Sequence, residues 1–158
     1  MTETQDQTPD VLGLRRILAV DDDPIMLELL TETFTGLGFG VSVAGDGDAA
    51  WSILQSDAEF QLAVIDLSMP IVDGYELLSR IRNNPQSANL PVIVATSTGD
   101  AASIEHAYRL GASSFVTKPI NWPQFAHHAQ FVIRNGQVER DLRVAQAEAA
   151  ATARMKNG

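Results

Sequence analysis

Acidic, hydroxyl and amino side chains follow the apolar runs of this sequence at the points where those runs end. Asp21 and Asp22 follow the first run, and Asp66 follows a later one. Thr96 and Lys118 stand at the ends of two further runs. If these runs are parallel strands of one sheet, their carboxyl ends share an edge. We therefore expect three carboxylates, a hydroxyl and an ammonium group to converge there.

This set of side chains has the chemistry of phosphoryl transfer. Carboxylates that are packed together repel one another unless a cation offsets their charge, and Mg²⁺ with oxygen ligands suits such a cluster best. Lys118 would add a second positive charge, and the Thr96 hydroxyl would bind a phosphoryl oxygen. Asp66 is the preferred nucleophile because it ends the central strand, and its carboxylate would carry an aspartyl-phosphate.

Each residue type also has an ordinary structural role. A single Asp after a strand more often caps a turn or helix than reacts, and we assign Asp23 and Asp73 to that role. A lone Thr is usually a strand former and a lone Lys a solvated charge. However, nine of the 11 basic residues are Arg, and the only lysines are Lys118 and Lys156. Only the joint pattern, and no single residue, indicates a reactive site.

Alternating strand and helix signals predict the fold that positions these residues. Short apolar runs, most of them continuous as in strands buried on both faces, lie at 17–20, 41–44, 62–65, 92–95 and 115–116. Helix signals fill the gaps, with predicted starts at Asp23-Pro24, Asp48, Asp73-Gly74, Asp100 and Trp122-Pro123. Such βα units predict an α/β fold, with a parallel sheet covered by helices on both faces.

The composition fits one soluble domain. Of 158 residues, 45% are hydrophobic and 20% charged, which is enough to bury a single core. Cysteine is absent, which excludes disulfides, thiolate catalysis and cysteine-based zinc sites. The formal charge of −9 disfavours direct binding to nucleic acid or anionic lipid. With no apolar run of membrane length and no signal sequence, we expect a cytoplasmic protein without membrane contact. The histidines, at 106, 127 and 128, are interpreted as surface residues.

Taken together, the motifs resemble the receiver domain of two-component response regulators. They comprise Asp21-Asp22-Asp23 after the first run and the segments 65–74, 91–97 and 111–119. Each is weak alone, but their order and spacing over about residues 14–135 are specific. The resemblance implies a flavodoxin-like, doubly wound fold with a five-stranded parallel sheet in the order 2-1-3-4-5, here followed by an extended C-terminal helix.

The resemblance also implies how the acidic residues work. Asp66 matches the phosphoacceptor, which takes its phosphoryl group from a histidine of a sensor kinase or phosphotransfer protein. Asp22 and Asp66 match side-chain ligands of Mg²⁺, and the backbone carbonyl of Ser68 matches a third ligand. Asp21 matches the acid that acts on the metal mainly through water.

A second set of matching residues would carry the switch. Thr96 matches the switch hydroxyl and Lys118 the phosphate partner. The peptide bond between Lys118 and Pro119 is expected to be cis. Phe115 falls at the aromatic switch position, where many members carry Tyr, so it has no hydroxyl to donate.

The leading interpretation is a signalling switch that catalyses only its own phosphorylation and dephosphorylation. A magnesium-dependent phosphatase of the haloacid dehalogenase type is the alternative, because Asp21 and Asp23 fit its Asp-x-Asp motif. That enzyme also needs an acidic pair after its lysine, whereas Glu139 is the only acid between Lys118 and Arg140. A flavodoxin would need a Ser/Thr/Gly phosphate loop after the first strand, and none is present there.

We predict three parts in the chain: a flexible arm at 1–14, the receiver domain at 15–135 and a helical extension or linker at 136–158. A thin heptad stripe runs into the last part and predicts a weak homodimer through paired C-terminal helices. Its residues are Phe131, Asn135, Val138, Leu142, Ala145 and Ala149. A solvated, Ala-rich helix would have the same composition, and both interpretations stay open. The tail is also similar to helices that join a receiver to a downstream domain, in which case the chain is a fragment of a larger signalling protein.

Overall fold

Five strands and five helices alternate along the part of the chain that the computed structural model describes, which comprises residues 15–56, 59–69, 73–97 and 99–157. The strands are Arg16–Val20 (β1), Gly40–Ala44 (β2), Leu62–Asp66 (β3), Val92–Thr96 (β4) and Ser114–Thr117 (β5). The helices are Pro24–Gly36 (α1), Gly47–Leu54 (α2), Gly74–Asn83 (α3), Ala101–Leu110 (α4) and Trp122–Asn157 (α5). The predicted arm at 1–14 and the segment 70–72 of the Asp66 motif lie outside the described residues.

The strands form one parallel sheet in the order β2-β1-β3-β4-β5, which confirms the predicted fold. Strands β1, β3 and β4 are almost completely buried, which explains why their sequences are continuous apolar runs. From β1 the chain moves to β2 on one side and later to β3 on the other. The strand order therefore reverses between β1 and β3, and ligands of such sheets bind beyond the carboxyl ends of the strands at this point.

Helices cover both faces of the sheet and create two apolar layers. Helices α2, α3 and α4 pack on one face, where Leu77 and Leu78 are fully buried. Helices α1 and α5 pack on the other face around Phe34. The Phe34 ring meets those of Phe39 and Phe125 edge-on, with centroids 6.2 and 5.8 Å away. The first turns of α5 are thereby fixed against α1.

A side-chain cap begins each helix. The first four caps are Asp23, Asp46, Asp73 and Asp100, whose carboxylates accept backbone N–H groups at 2.7–3.0 Å. Asn121 accepts the N–H of Gln124 at 3.1 Å at the start of α5. The capping roles predicted for Asp23 and Asp73 are confirmed, whereas α2 begins at Gly47, one residue earlier than predicted.

Helix α5 runs without a break over 36 residues and leaves the body of the domain. Gly136 passes close to the segment before β4, since a Cβ there would lie 2.6 Å from Cγ of Pro91. Nearly all side chains described beyond Gly136 are exposed. Despite its length α5 is too polar to span a bilayer, and no other helix among the described residues qualifies.

Candidate functional site

The carboxyl ends of β1, β3 and β5 bring acidic residues and a lysine together. Asp21 directly follows β1, Asp66 ends β3 and Lys118 directly follows β5. Asp21 and Asp66 are only 1% and 5% exposed, whereas the neighbouring Asp22 is exposed. One carboxylate oxygen from each of the three acids lies within 4.8 Å of the others. We call these three residues the acid cluster.

Lys118 is bound first of all to Asp21. Its Nζ donates to Oδ2 of Asp21 at 2.9 Å and lies 3.6 Å from Oδ1 of Asp66. Oδ1 of Asp21 accepts the backbone N–H of Asp23 at 3.0 Å. Both oxygens of Asp21 are therefore engaged. The sequence indicated Lys118 as a phosphate partner but gave no sign of this ion pair.

The end of β5 is held beside β4, which fixes the base of the lysine. The backbone N–H of Lys118 donates to the carbonyl oxygen of Thr96 at 2.9 Å. The peptide bond between Lys118 and Pro119 is cis, as expected from the resemblance. The position of the ammonium group is thus set by strand pairing as well as by its ion pairs.

Asp66 is in surroundings that disfavour its charge. Burial, with the charges of Asp21 and Asp22, raises the pKa of Asp66 to about 6. The charge of Lys118 and the hydrogen bond from the Ser68 N–H to Oδ1 of Asp66, at 3.2 Å, act in the opposite direction but are outweighed. For Lys118, burial alone would lower the pKa, but the hydrogen bond to Asp21 and the charges of Asp66 and Asp21 outweigh it and raise that pKa. The Lys118 ammonium group lies beside two of the three clustered carboxylates, and a further cation would stabilise the cluster.

The donor set fits a magnesium ion. Magnesium prefers oxygen ligands and is commonly held through one or two carboxylates. Asp22 is exposed and Asp66 lies beside it, while both oxygens of Asp21 already accept hydrogen bonds. This arrangement favours Asp22 and Asp66 over Asp21 as direct ligands. Ser68 lies two residues beyond Asp66 on the loop that leaves β3.

Gly74 allows α3 to begin directly against the end of β3. Its N–H donates to the carbonyl oxygen of Leu67 at 3.1 Å, and a Cβ at this position would lie 2.6 Å from the Leu67 Cα. It would also collide with the carbonyl oxygen of Asp66. A larger residue would force the start of α3 away from the end of β3. The sequence indicated only a helix start at Gly74, because an Asp-Gly pair gives no signal of such a distant backbone contact.

The two predicted switch residues lie on the neighbouring strands β4 and β5. Thr96 ends β4 and is 6% exposed, and Ala95 before it is the register partner of Asp66. Phe115 lies in β5 and is partly buried. Its ring meets the exposed Tyr108 of α4 edge-on at 6.0 Å between centroids. Thr96 therefore adjoins the site on β4, and Phe115 on β5 contacts α4.

Of the histidines predicted to lie on the surface, His106 and His127 are exposed, whereas His128 is only partly exposed. His128 is half-buried, and its Nε2 lies 2.6 Å from Oγ of Ser114, so that it connects α5 to β5. His106 is exposed and stacks on Tyr75 with 4.6 Å between ring centroids. The contact of His128 depends on how α5 lies across the sheet, which no local pattern specifies.

Asp23 does not face the acid cluster with its neighbours. Its carboxylate accepts the N–H of Ile25 at 3.0 Å and caps α1. The phosphatase alternative depended on Asp21 and Asp23 as an Asp-x-Asp pair. Here only Asp21 of that pair belongs to the cluster, which favours the receiver interpretation.

A doubly wound parallel sheet with an acid cluster and a lysine at its switch point defines a class of α/β domains with a flavodoxin-like fold. The family model for the response regulator receiver domain matches residues 17–130, and the chain belongs to this family. Receiver domains are signalling domains of two-component systems that interact with histidine kinases or phosphotransfer proteins. The resemblance seen in the motifs is thereby confirmed.

Individual relatives agree with this assignment. A probable chemotaxis protein CheY of Rhizobium etli is 34% identical over 105 residues, which cover 66% of this chain and 81% of that protein. The structure of chemotaxis protein CheY4 of Vibrio cholerae matches with a TM-score of 0.71 and 26% identity, covering 75% of this chain and 98% of that one. A CheY-like receiver domain protein of Methanospirillum hungatei shares the fold, with a TM-score of 0.74, 23% identity and coverage of 80% and 98%.

Proposed function

We propose that the chain is a phosphorylation-dependent switch that accepts a phosphoryl group onto Asp66 in a Mg²⁺-dependent reaction. The donor would be a phosphohistidine of a sensor kinase or phosphotransfer protein. One observation carries the proposal: Asp66 is 5% exposed, has the Lys118 Nζ at 3.6 Å and shares a cluster with two further acids. The receiver would occupy 15–135, with a helical extension at 136–158.

In the proposed reaction, a carboxylate oxygen of Asp66 attacks the phosphorus atom. The P–N bond to the donor histidine breaks as the new O–P bond forms, and the leaving imidazole nitrogen keeps the electron pair and takes a proton from solvent. Attack of water on phosphorus later breaks the O–P bond, releases inorganic phosphate and restores the carboxylate. Asp66 must be ionised to attack, and a pKa of about 6 leaves it largely ionised at neutral pH.

Lys118 and Thr96 would bind the transferred group. The Lys118 ammonium is hydrogen-bonded to Asp21 and lies within 3.6 Å of Asp66, so a small side-chain movement would bring it to a phosphoryl oxygen. The Thr96 hydroxyl would donate to another oxygen from the adjacent strand. Both groups would lie beside the phosphoryl oxygens, on which negative charge increases during the transfer. Stabilising this charge is the main way that proteins assist phosphoryl transfer.

The magnesium ion would be held at the acid cluster. Asp22, Asp66 and the backbone carbonyl of Ser68 are the proposed direct ligands, with Asp21 acting through water. The ion would neutralise charge on the phosphoryl oxygens. The raised pKa of Asp66 supports the proposal, because burial and the charges of Asp21 and Asp22 disfavour its ionised form, which a bound cation would stabilise.

The signal would leave the site through Thr96 and Phe115. With phosphate on Asp66, Thr96 would move toward it and Phe115 would turn into the vacated space, changing the surface of α4, β5 and α5. The phosphoryl group must bind this arrangement better than the resting one. Beryllofluoride, a phosphoryl mimic, should shift the amide resonances around Phe115 in the wild type and far less in Thr96→Ala. Equal shifts in both proteins would show that the coupling does not pass through Thr96.

Intact-mass measurement after incubation with acetyl phosphate and Mg²⁺ tests the chemistry. We expect one phosphoryl adduct on the wild type and none on Asp66→Asn. Asp73→Asn is the matched control, because Asp73 is an exposed helix cap outside the acid cluster and should leave labelling intact. EDTA should abolish the adduct. An adduct on Asp66→Asn would contradict the assignment, and multiple turnovers of a phosphatase substrate would favour the phosphatase alternative.

A further inference from the structure

Beyond the receiver, α5 has two opposite faces. On one face, Arg140, Arg143 and Val144 line a cleft of about 590 Å³ together with the segments that precede β3 and β4. On the other face, Val138 and Leu142 point away from the receiver and are 58% and 56% exposed. The extended helix therefore has one side that lines the cleft beside the receiver and an opposite side with a bare apolar stripe.

This bare stripe continues onto the receiver and has the spacing of a coiled coil. It consists of Phe131, Asn135, Val138, Leu142, Ala145 and Ala149, which we call the seam. The spacing between successive members alternates between four and three residues, as it does between the core positions of a heptad repeat. Phe131 is 54% exposed even though it lies in the part of α5 that packs on the sheet. The seam thus begins on the receiver and continues along the extension.

We infer that the seam is the interface with a second copy of this chain, in a parallel, in-register pair of helices. This inference is independent of the chemistry proposed for Asp66. In a parallel pair, each core residue meets its own copy, so Asn135 lies opposite Asn135 of the partner subunit and the two amides can hydrogen-bond. A polar pair of this kind within an apolar seam favours one register and two strands.

The charges beside the seam support the parallel direction. Arg134 and Glu139 occupy the positions that flank the seam and meet across a parallel pair. Arg134 would therefore face Glu139 of the partner subunit, and Glu139 would face Arg134 of the partner subunit. An antiparallel pair with Val138 opposite the partner's Leu142 would set Glu139 against the partner's Glu139 and Asp141 against the partner's Asp141. These like charges oppose that arrangement.

Disulfide trapping tests the direction, because the chain has no cysteine of its own. Leu142→Cys should form a cross-linked dimer rapidly on mild oxidation, since each sulfur would face its own copy. Ala147→Cys is the matched control, because Ala147 is exposed on the opposite face of the same helix and should cross-link slowly. Equal rates for the two variants would overturn the inference. Preferential cross-linking of Leu142→Cys to Val138→Cys in a mixture of the two variants would also overturn the inference, because it would indicate an antiparallel pair.

Sedimentation at increasing protein concentration tests the seam without cross-links. The double variant Val138→Ala, Leu142→Ala should raise the dimer dissociation constant on the order of tenfold or more, because it removes two large apolar side chains from the interface. Val144→Ala should leave that constant unchanged, since Val144 is as exposed but lies on the cleft face. A wild-type chain that stays monomeric at every concentration would overturn the inference, as would equal weakening by both variants.

Discussion

The acid cluster and the part of α5 beyond Gly136 are both rich in charge, but they are built in opposite ways. In the cluster, Asp21 and Lys118 are 97 positions apart in the sequence and meet at 2.9 Å, with the Asp21 carboxylate buried. In the distal part of α5, charged and apolar side chains alike are exposed along a single continuous helix. The geometry of the first region depends on the whole fold, whereas the proposed interface at the seam would depend on a second molecule.

The same contrast applies to stability. Side chains on the buried half of α5 contribute to folding of the single chain, because they pack on the sheet and on α1. Side chains on the seam contribute little to folding of the single chain, because their apolar surface stays in water. Substitutions on the buried half of α5 should therefore change the free energy of unfolding, whereas substitutions on the seam should change that quantity little.

The largest expected effect is the loss of Phe34, which is fully buried between α1 and α5. Phe34→Ala should lower the free energy of unfolding by about 3–5 kcal/mol, because it removes apolar burial and leaves a cavity. Leu142→Ala should change that free energy by less than about 0.5 kcal/mol in dilute protein, because Leu142 is exposed. Urea unfolding at low protein concentration measures both. Similar losses would mean that the seam is already covered within one chain.

The fold was predictable from the sequence because its signals are local. Continuous apolar runs marked the buried strands, and Asp-Pro and Asp-Gly pairs marked the starts of α1 and α3. Parallel strands then require that residues at their ends share one edge, so the convergence of Asp21, Asp66 and Lys118 followed from the topology.

The contacts made by these residues were not predictable in the same way. Lys118 could have paired with either buried acid, and the sequence does not indicate that Asp21 is nearer. The contact of Gly74 with the backbone of Leu67 and the bond of His128 to Ser114 depend on how helices lie against strands. The heptad period of α5 was visible, but only the packing of the helix shows which of its faces is bare.

A smaller effect, with the opposite sign, is expected at Asp66. Because the pKa of Asp66 is raised to about 6 in the folded protein, the contribution of this carboxyl group to stability is fully present below its unfolded pKa of 3.8 and is lost as the pH rises through about 6. Asp66→Asn should therefore raise the free energy of unfolding of the metal-free protein by about 1–2 kcal/mol at neutral pH, allowing for screening by solvent.

Urea unfolding in EDTA at several pH values measures this effect. The advantage of Asp66→Asn over the wild type should shrink as the pH falls from about 7.5 to about 5, because the wild-type carboxyl group takes up its proton in this window. Glu32→Gln, an exposed acid on α1, is the matched control and should give no such trend. A constant difference across the range would mean that burial of Asp66 does not oppose its charge.

The smallest expected effect separates two adjacent carboxylates. Asp23→Ala should lower the free energy of unfolding by about 1 kcal/mol, because Asp23 caps α1 through the N–H of Ile25. Asp22→Ala should cost less stability, because Asp22 is exposed, but it should strongly weaken Mg²⁺ binding by removing a proposed ligand. Urea unfolding in EDTA gives the first quantity, and a Mg²⁺ titration followed by amide shifts gives the second. Each variant is the control for the other, since they differ by one position in the chain. If both lost Mg²⁺ affinity equally, the boundary between the acid cluster and the helix cap would not lie between Asp22 and Asp23, and the cap would have to be counted within the site.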